Sequence, residues 1–431
     1  MTTHITVIGA GLAGCTAALA ADARGAQVTL YEQRPAKNTP VHQTAMPGEP
    51  VGTSDLGVED TDRAAGLLKA ELRVTCPRVM ECIDETRIGT RTMAVERTAF
   101  AQALADRLDH AAGVSVVRDH VKSLPDGPVV IASGPGTWSP LARAIHRAAG
   151  ADFRFSFIGR APLIAAESID LTEARWEPPY PEAEPALFLP LTDREARELA
   201  RRFAEAEWNE PPGLDEETVL AEESRTVERL AADPQDGLRS ILRGPRGPNL
   251  SVEGPALCLT PDDEERSAYH VHGLLTSLSH DAQHEALRAV GALSEVRLLR
   301  AGMIQRTPWL AGSEATTASL QLRRAARVLL TGSLTGVYGY SEALALGAVA
   351  GIGAARLASG SHPLPPPEDS LTGALCRALS EHTPHPDGRM LQANFGMIPE
   401  HRQDHGLDKS ERRERQKQRA IDAIARYANA D

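Results

Sequence analysis

The sequence predicts an α/β protein in which a doubly wound domain is interrupted by an inserted α+β domain. Two segments that run from a strand into a glycine-rich turn support this prediction, one near the start of the chain and one at residues 326–336. The stretch between them has a different sequence pattern, with proline-rich connections such as WEPPYPEAEPA and a capped helix. Strand units on both sides of such a stretch indicate one domain with an insertion.

The expected domain boundaries follow from this pattern. Residues 1–150 and 301–400 are predicted to form the two parts of the doubly wound domain, and residues 151–300 to form the insertion that holds the substrate. Residues 401–431 are predicted to form a charged C-terminal helix. A chain of 431 residues, 42% of them hydrophobic, is too long for a single ordinary core, so more than one domain is expected.

The first predicted unit is a strand, a helix and a second strand. Thr3–Ile8 supplies an apolar strand, Leu12–Arg24 an alanine-rich helix that stops at Gly25, and Val28–Tyr31 the next strand. A further strand is predicted within residues 128–135, where PVVIASGP again runs into glycine. These units have the order of a parallel, doubly wound sheet.

Two later segments are predicted to be helices. TDREARELARRFAEAEW begins with Thr192 and carries Glu195 three residues later, which is the spacing of a capping box. The last segment, DKSERRERQKQRAIDAIARYANAD, is a charged helix. Its basic run from Lys409 to Arg419 would suit contact with RNA, but a solvated helical face is the more common meaning of such a run and is favoured here.

A glycine motif follows the first strand. Gly9, Gly11 and Gly14 form G-x-G-x-x-G at the opening of the first helix. The first glycine permits a tight turn, the second lets the backbone approach a pyrophosphate, and the third lets the helix pack closely on the strand. Glu32, after the next strand, is placed to accept ribose hydroxyls, and its charge disfavours a 2′-phosphate. The motif therefore predicts a Rossmann-like site for FAD or NAD.

A second glycine-rich turn favours FAD. GSLTGVYGYSEALALGAVAGIGAARL, at residues 332–357, joins this turn to a helix of small residues. Many FAD proteins bring backbone N–H groups beneath the flavin in this way, although a buried helix packed on the sheet would need the same residues. The predicted cofactor-binding residues are Gly9, Ala10, Gly11, Gly14, Glu32, Arg34, Gly134, Gly332, Gly339 and Tyr340.

The composition narrows the function classes. A net charge of −12 argues against a surface that tracks nucleic acid throughout. The five cysteines form no C-x-x-C pair, so neither a zinc ribbon nor a disulfide framework is indicated, and a cytoplasmic location is expected. No secretory signal is evident, and the apolar run ALALGAVAGIGAA is shorter than a membrane span, so no membrane is expected.

Several longer segments are similar to one family in their order and spacing. They are YEQRPAKNTPVHQT, AAGLLKAELR, MAVERTAF, ASGP, SID, LTGSLTGVYGYSEALALGAVAGIGAARL and NFGMIP. Together they resemble the folate- and FAD-dependent tRNA uracil-5-methyltransferases (TrmFO), from Ile5 almost to the C-terminus. The resemblance implies an FAD domain with an inserted second domain. It also implies a reaction in three steps. A methylene group passes from 5,10-methylenetetrahydrofolate to the flavin, where it forms an iminium at N5. The methylene is then transferred to C5 of a tRNA uridine and is reduced to a methyl group with electrons from NAD(P)H.

The chain departs from this family where the uridine is activated. Uracil C5 becomes a good nucleophile only after a thiolate adds at C6, and a second cysteine assists. PVGTSD resembles the family segment with the first cysteine and has Gly52 at that position, while ESRTVE resembles the second and has Ser224. Glycine offers no functional group, and a serine hydroxyl is not readily ionised as a thiol is. These losses predict a substrate other than tRNA uridine.

Three residues are candidates for catalysis. Tyr340 is expected to stack on the flavin or donate to it, or else to pack beside the glycine-rich helix. Arg306 is expected to bind an anion such as a folate glutamate or a phosphate, with a structural ion pair as the alternative. Ser224 is a candidate because it stands where the resemblance places the second family cysteine. His270 and His272 alternate along one strand, but no third ligand is placed beside them, so no metal is predicted.

The leading hypothesis is an FAD-dependent methyltransferase that uses methylenetetrahydrofolate and NAD(P)H. Its acceptor would be a molecule with its own nucleophile, such as an amine or an electron-rich carbon, and would need no activating cysteine. Three alternatives stay open: an RNA uracil-5-methyltransferase with a different nucleophile, an FAD-dependent oxidoreductase without folate chemistry, and a non-catalytic FAD- or RNA-binding relative. The identity of the methyl acceptor is left open.

Overall fold

The computed structural model describes residues 4–39, 41–178, 184–208, 211, 225–232, 254–381 and 389–430. Its strands are β1 (His4–Ile8), β2 (Gln27–Tyr31), β3 (Asp55–Val58), β4 (Thr92–Ala94), β5 (Val114–Val117), β6 (Val129–Ile131), β7 (Phe153–Arg160), β8 (Leu163–Ala165), β9 (Arg175–Glu177), β10 (Ala186–Pro190), β11 (Ala256–Pro261), β12 (Ala268–Val271), β13 (Leu298–Arg300), β14 (Met303–Leu310), β15 (Gln321–Leu322) and β16 (Ala325–Leu330). Its helices are α1 (Leu12–Asp22), α2 (Ala64–Thr75), α3 (Pro77–Glu85), α4 (Arg97–Asp109), α5 (Ser139–Ala149), α6 (Asp193–Glu205), α7 (Val227–Ala232), α8 (His280–Leu287), α9 (Gly312–Ala315), α10 (Tyr340–Ala358), α11 (Leu371–Glu381) and α12 (Lys409–Ala428).

The doubly wound domain is built on a sheet in the order β15-β16-β6-β1-β2-β5. β1 pairs in parallel with β2 on one side and with β6 on the other, and β16 continues the parallel set beyond β6. The strand order therefore reverses beside β1, which is where sheets of this kind bind ligands. The predicted N-terminal strand–helix–strand unit is confirmed, although α1 ends at Asp22, two residues earlier than expected, just before Gly25 turns the chain with a φ of +74°.

Helix α10 packs almost backbone to backbone against α1. A Cβ on Gly347 would lie 2.5 Å from the carbonyl oxygen of Ala13, and one on Gly351 would lie 2.2 Å from that of Ala17, so only glycine permits this approach. Among the described helices α10 alone is long and apolar enough for a membrane span, yet most of it is buried inside the domain. The run of small residues therefore seats α10 on α1 as well as on the sheet.

The inserted domain is an antiparallel sheet in the order β13-β8-β12-β11-β10-β9. One face, which includes Val271, packs on α6, α7 and α8. On the other face Arg300, Leu163, His270 and Thr260 form one lateral row, because they are register partners across four neighbouring strands. We call this face the row face.

The chain crosses between the two domains along a separate two-stranded ribbon. β7 leads out of the doubly wound domain and β14 leads back, and the two strands pair antiparallel from Phe153 with Leu310 to Arg160 with Met303. The fold is thus a doubly wound domain with an inserted α+β domain, as the sequence predicts. Within the insertion, the predicted capping box is confirmed, because Thr192 and Glu195 exchange side-chain and backbone hydrogen bonds at the start of α6.

Candidate active site

Glycine-rich turns lie side by side at the carboxyl ends of three parallel strands. Gly9 follows β1, Gly134 follows β6 and Gly332 follows β16, and all three have a positive φ. A Cβ on Gly9 would lie 2.6 Å from the carbonyl oxygen of Ala132, so the first two turns touch. The predicted cofactor residues of both halves of the chain are therefore brought together at the point where the strand order reverses.

The N-terminus of α1 is open for an anion. A Cβ on Gly14 would lie 1.8 Å from the carbonyl oxygen of Gly9, whereas a Cβ on Gly11 would meet nothing within 4 Å. Gly14 is therefore required for helix packing, and Gly11 leaves space above the turn. The N–H groups of Gly11, Leu12 and Ala13 donate to none of the residues that the structure describes. Such a helix end fits the pyrophosphate of a dinucleotide.

Glu32 is fixed by its own surroundings. It accepts hydrogen bonds from the Ala10 N–H at 3.2 Å and from the backbone and guanidinium of Arg34 at 2.9 to 3.1 Å. Burial acts to raise the pKa of Glu32, but the hydrogen bonds and charge of Arg34 outweigh it and the pKa is lowered. Arg34 also bonds Glu49 and two carbonyl oxygens. The guanidinium of Arg34, which is predicted to bind the cofactor, is hydrogen-bonded within the protein and holds the carboxylate of Glu32.

Tyr340 fastens the loop that carries Gly52. The Gly52 N–H donates to the Tyr340 hydroxyl at 2.8 Å, and that hydroxyl donates to the carbonyl oxygen of Thr53 at 3.1 Å. Gly339, just before α10, has a φ of +129° and brings the chain round to this position. Because the hydroxyl already has both a donor and an acceptor, Tyr340 positions the loop and is not free to donate to a flavin.

A hydrogen-bonded network ties the Gly52 loop to the inserted domain. The Arg97 guanidinium donates to the carbonyl oxygens of Pro50 and Gly52, the latter at 2.8 Å, and to Asp262 Oδ1 at 2.8 Å. His270 Nε2 lies 2.7 Å from the same Asp262 oxygen. The network joins α4 and the Gly52 loop to the row face, so the candidate site lies between the two domains.

The hydrogen bonds and burial of this network determine the protonation states of Asp262 and His270. Burial acts to raise the pKa of Asp262, but the hydrogen bond from His270 and the charge of Arg97 outweigh it, so its pKa is lowered. Burial also lowers the pKa of His270, which stays a neutral imidazole at neutral pH. Neutral His270 donates through Nε2 to the ionised Asp262. No group of three metal-ligating side chains occurs within the described ranges, and His270 is used by Asp262 instead of forming a pair with His272.

The other two candidate catalytic residues do not join this network. Arg306 is exposed on β14 and stacks its guanidinium 3.4 Å from the ring centroid of Phe155. It is hydrogen-bonded neither to Tyr340 nor to Gly52. Ser224 lies outside the described residues.

Sequence reasoning missed Arg97 and Asp262 and gave His270 no role. Arg97 lies in MAVERTAF, one of the segments that resemble the family, but its partner Asp262 is 165 residues away and belongs to the other domain. A search for acidic partners of the isolated histidines would have been the available signal.

None of the five cysteines offers an exposed thiol. All five are buried, and burial raises the pKa of every one of them. They are Cys15, Cys76, Cys82, Cys258 and Cys376.

The basic run of α12 is partly neutralised within the chain. Four of its side chains lie within ion-pair distance of acidic side chains. The pairs are Arg412 with Glu400, Arg415 with Asp404, Lys417 with Asp62 and Arg419 with Asp404. These four basic side chains are therefore paired with carboxylates of the same chain.

Comparisons with known proteins agree with this fold and show the family. The family model of Glucose inhibited division protein A (GidA) matches residues 4–362. The methylenetetrahydrofolate–tRNA-(uracil-5-)-methyltransferase TrmFO of Moorella thermoacetica is 34% identical over 411 residues, covering 93% of this chain and 94% of the relative. That of Thermus thermophilus is 32% identical, covering 98% of this chain and 96% of the relative. The chain belongs to the GidA family and to its TrmFO-like group.

A solved structure from the same family has the same fold. Aquifex aeolicus GidA superposes with a TM-score of 0.72 over 99% of this chain and 75% of its own length, at 17% identity. The superposition confirms the predicted fold, and the family model and the TrmFO relatives confirm the family membership inferred from the sequence motifs. In this chain position 52 is a glycine whose N–H group is held by the Tyr340 hydroxyl.

Proposed function

We propose that this TrmFO-like chain is an FAD-dependent methyltransferase whose one-carbon donor is methylenetetrahydrofolate and whose acceptor is not a tRNA uridine. The donor is supported by the relatives, which are named for methylenetetrahydrofolate and span almost the whole chain. NAD(P)H is the proposed reductant, because a methylene must gain two electrons to become a methyl group.

The geometry of the glycine turns supports FAD. Gly11 leaves room above the first turn, the N–H groups that follow it have no described partner, and Glu32 is held ionised beside the turn. Gly332 and Gly339 shape the second turn at the start of α10. A bound flavin would supply one-carbon and hydride chemistry that side chains cannot provide. The protein's contribution is to hold the dinucleotide and to place the Gly52 loop.

The proposal that the methyl acceptor is not a tRNA uridine rests on the absence of an available thiol. Position 52 is a half-buried glycine whose N–H and carbonyl oxygen are both engaged, by Tyr340 and Arg97. All five cysteines of the chain lie in buried positions elsewhere. A uridine needs addition of a thiolate before C5 can react, so the acceptor must instead bring its own nucleophile. Amines and electron-rich aromatic carbons meet this requirement.

A labelling experiment tests the proposal. The purified protein, with its bound flavin, is incubated with methylene-labelled tetrahydrofolate, NAD(P)H and unmodified tRNA. We expect label to stay with the protein-bound flavin and none to appear in tRNA. Adding pools of small amines, phenols and indoles should then discharge the label into one class of product.

The other outcomes identify the competing functions. Label at uridine C5 would show that the chain is an RNA methyltransferase with a different nucleophile. NAD(P)H oxidation by the flavin without capture of label would indicate an oxidoreductase that has lost folate chemistry. A protein that purifies without flavin, and does not bind added FAD, would contradict both enzymatic functions.

A further inference from the structure

Arg300 carries a buried guanidinium group. Its three guanidinium nitrogen atoms, Nε, Nη1 and Nη2, are buried, and none donates to a residue within the described ranges. Burial and the nearby charges of Arg160 and Arg97 lower the pKa of Arg300 to about 10, so it stays protonated at neutral pH. A buried charge without an acceptor is costly, and an anion would relieve that cost.

Arg300 lies beside the network at the domain boundary. It sits on the row face with only Leu163 between it and His270, since β13, β8 and β12 are neighbours. At about 4.8 Å per strand, this places the backbones of Arg300 and His270 roughly 10 Å apart, within reach of a long side chain. The charges of Arg300 and Arg97 both act on the Tyr340 hydroxyl. Arg300 is therefore near enough to act electrostatically on the hydroxyl that holds the Gly52 loop.

The nearby carboxylates are already engaged. Asp262 Oδ1 accepts from Arg97 and His270. Glu49 accepts from Arg34 and from the backbone and side chain of Thr44, and it also binds the Gln43 N–H. Neither carboxylate bonds Arg300, although both act on it electrostatically. The acceptor for this guanidinium must come from outside the described protein.

We propose that Arg300 is the centre of an anion subsite between the two domains, and that it binds a carboxylate of the small-molecule methyl acceptor. The assignment to the acceptor rests on the proposed function, whereas the anion subsite does not. A carboxylate matches the planar fork of a guanidinium and can accept two of its N–H groups together. An acceptor anchored there would lie between the row face and the Gly52 loop, where its nucleophile meets the one-carbon unit.

A small carboxylate suits this position better than an RNA phosphate. The guanidinium nitrogens lie in the interior, so a polymer backbone would have to enter the boundary between the domains. The net charge of −12 also gives no long-range attraction for a polyanion. A small acceptor can be enclosed by the two domains.

The subsite is tested by titrating the flavin-containing protein with malonate and measuring the heat of binding by calorimetry. We expect wild type to bind malonate, Arg300→Gln to bind at least about tenfold more weakly, and Arg300→Lys to fall between them, because lysine keeps the charge and loses the fork. Arg297→Gln is the matched control: it removes an exposed arginine just before β13, paired with Glu167, and should bind malonate as wild type does. The bound-flavin absorbance of each variant checks its folding.

Further measurements distinguish whether the anion is a carboxylate of the acceptor, a phosphate or the glutamate of folate. The proposal of an anion subsite would be wrong if wild type did not bind malonate, or if Arg300→Gln bound it as tightly as wild type does. Tighter binding of inorganic phosphate than malonate, with competition by an RNA oligonucleotide, would overturn the carboxylate assignment. Loss of tetrahydrofolate binding in Arg300→Gln, with tetrahydropteroate unaffected, would assign the site to the folate glutamate instead of the acceptor. Methylene capture is measured on the same samples, so failure of the proposed function is seen separately from failure of anion binding.

Discussion

The Gly52 N–H donates a 2.8 Å hydrogen bond to the hydroxyl of Tyr340, the first residue of α10. The same hydroxyl donates to the carbonyl oxygen of Thr53 at 3.1 Å. Since α10 packs on α1 through close glycine contacts, the loop is fixed to a tightly packed pair of helices. Position 52 is therefore held in a defined place although it carries no reactive group.

Tyr340→Phe should loosen this loop. The substitution leaves the Gly52 N–H and the Thr53 carbonyl oxygen without their partner, and each lost bond removes about 1 kcal/mol. Because the loop is half-buried and water can replace part of the loss, we expect the free energy of unfolding to fall by about 1 to 2 kcal/mol. Urea denaturation measures this change.

Tyr427→Phe is the matched control for that substitution. The hydroxyl of Tyr427 is buried and has no hydrogen-bond partner among the described residues. Its removal should change stability by less than about 0.5 kcal/mol, or raise it, since an unpaired hydroxyl is relieved. Equal losses in the two variants would show that the Tyr340 hydroxyl contributes no more than an ordinary buried phenol.

Gly52→Cys should create a thiol that reagents can reach. A Cβ at this position would lie 3.1 Å from the Tyr340 hydroxyl, which requires a small shift and costs about 1 kcal/mol. The native protein should then react with one equivalent of an aromatic disulfide reagent, whereas wild type should react slowly because all five of its cysteines are buried. The rate of thiol release under native conditions is the measurement.

Gly52→Ser separates the steric effect from the chemical one. Serine has nearly the same size, so it should match the stability of Gly52→Cys while giving no additional thiol. If the cysteine at position 52 reacted no faster than the buried wild-type cysteines, the loop would be closed to small molecules. The proposed acceptor site beside it would then be wrong.

The sequence predicted most of the cofactor site because that site is built from local turns. Gly9, Gly134 and Gly332 each follow a strand within a few residues, and the strand order brings the turns together. Each position is fixed by a backbone requirement that only a few residue types satisfy. Such requirements can be read from short segments.

The substrate side could not be predicted in the same way. The Arg97–Asp262 pair depends on how two domains meet, and no local pattern marks which arginine will be buried. Arg306, the predicted anion-binding residue, is exposed on the ribbon, while the guanidinium of Arg300, six residues earlier, is buried and donates to none of the described residues. A bulge between Leu298 and Arg300 sets the face on which Arg300 lies, and that irregularity has no sequence signature here.

Gly11→Ala should impair FAD binding without disturbing the fold. Gly11 has an ordinary φ of −77°, and a Cβ there meets no protein atom within 4 Å, so stability without cofactor should change by less than about 0.5 kcal/mol. A methyl group would nevertheless occupy the space proposed for the pyrophosphate. We expect FAD affinity to fall at least about tenfold, the equivalent of 1.4 kcal/mol. Fluorescence titration of the cofactor-free protein measures it.

Gly14→Ala should show the opposite pattern. Its Cβ would lie 1.8 Å from the carbonyl oxygen of Gly9, a backbone atom that cannot move aside easily. The free energy of unfolding should fall by about 3 kcal/mol even without FAD. If Gly11→Ala bound FAD normally, the pyrophosphate would not lie on this turn.

Glu71→Gln should flatten the dependence of stability on pH. Glu71 is fully buried on α2, where its carboxylate accepts hydrogen bonds from the Leu371 N–H at 2.7 Å and the Thr372 N–H at 2.8 Å, at the start of α11. Burial raises the pKa of Glu71 from its ordinary 4.5 to about 7, against the opposing effect of these bonds. Between these values the folded protein keeps a proton that the unfolded chain releases.

The sign of the effect follows from that difference in bound protons. The contribution of Glu71 is fully present below pH 4.5 and is lost as the pH rises through 7, a change of about 3 kcal/mol. Glutamine cannot ionise, so the stability of wild type relative to Glu71→Gln should fall by about this amount between pH 4.5 and 7.5. Urea denaturation across this range is the measurement, with the exposed Glu285→Gln as the control that should track wild type. Parallel curves for wild type and Glu71→Gln would mean that the buried carboxyl stays ionised, held by its three hydrogen bonds to Leu371 and Thr372.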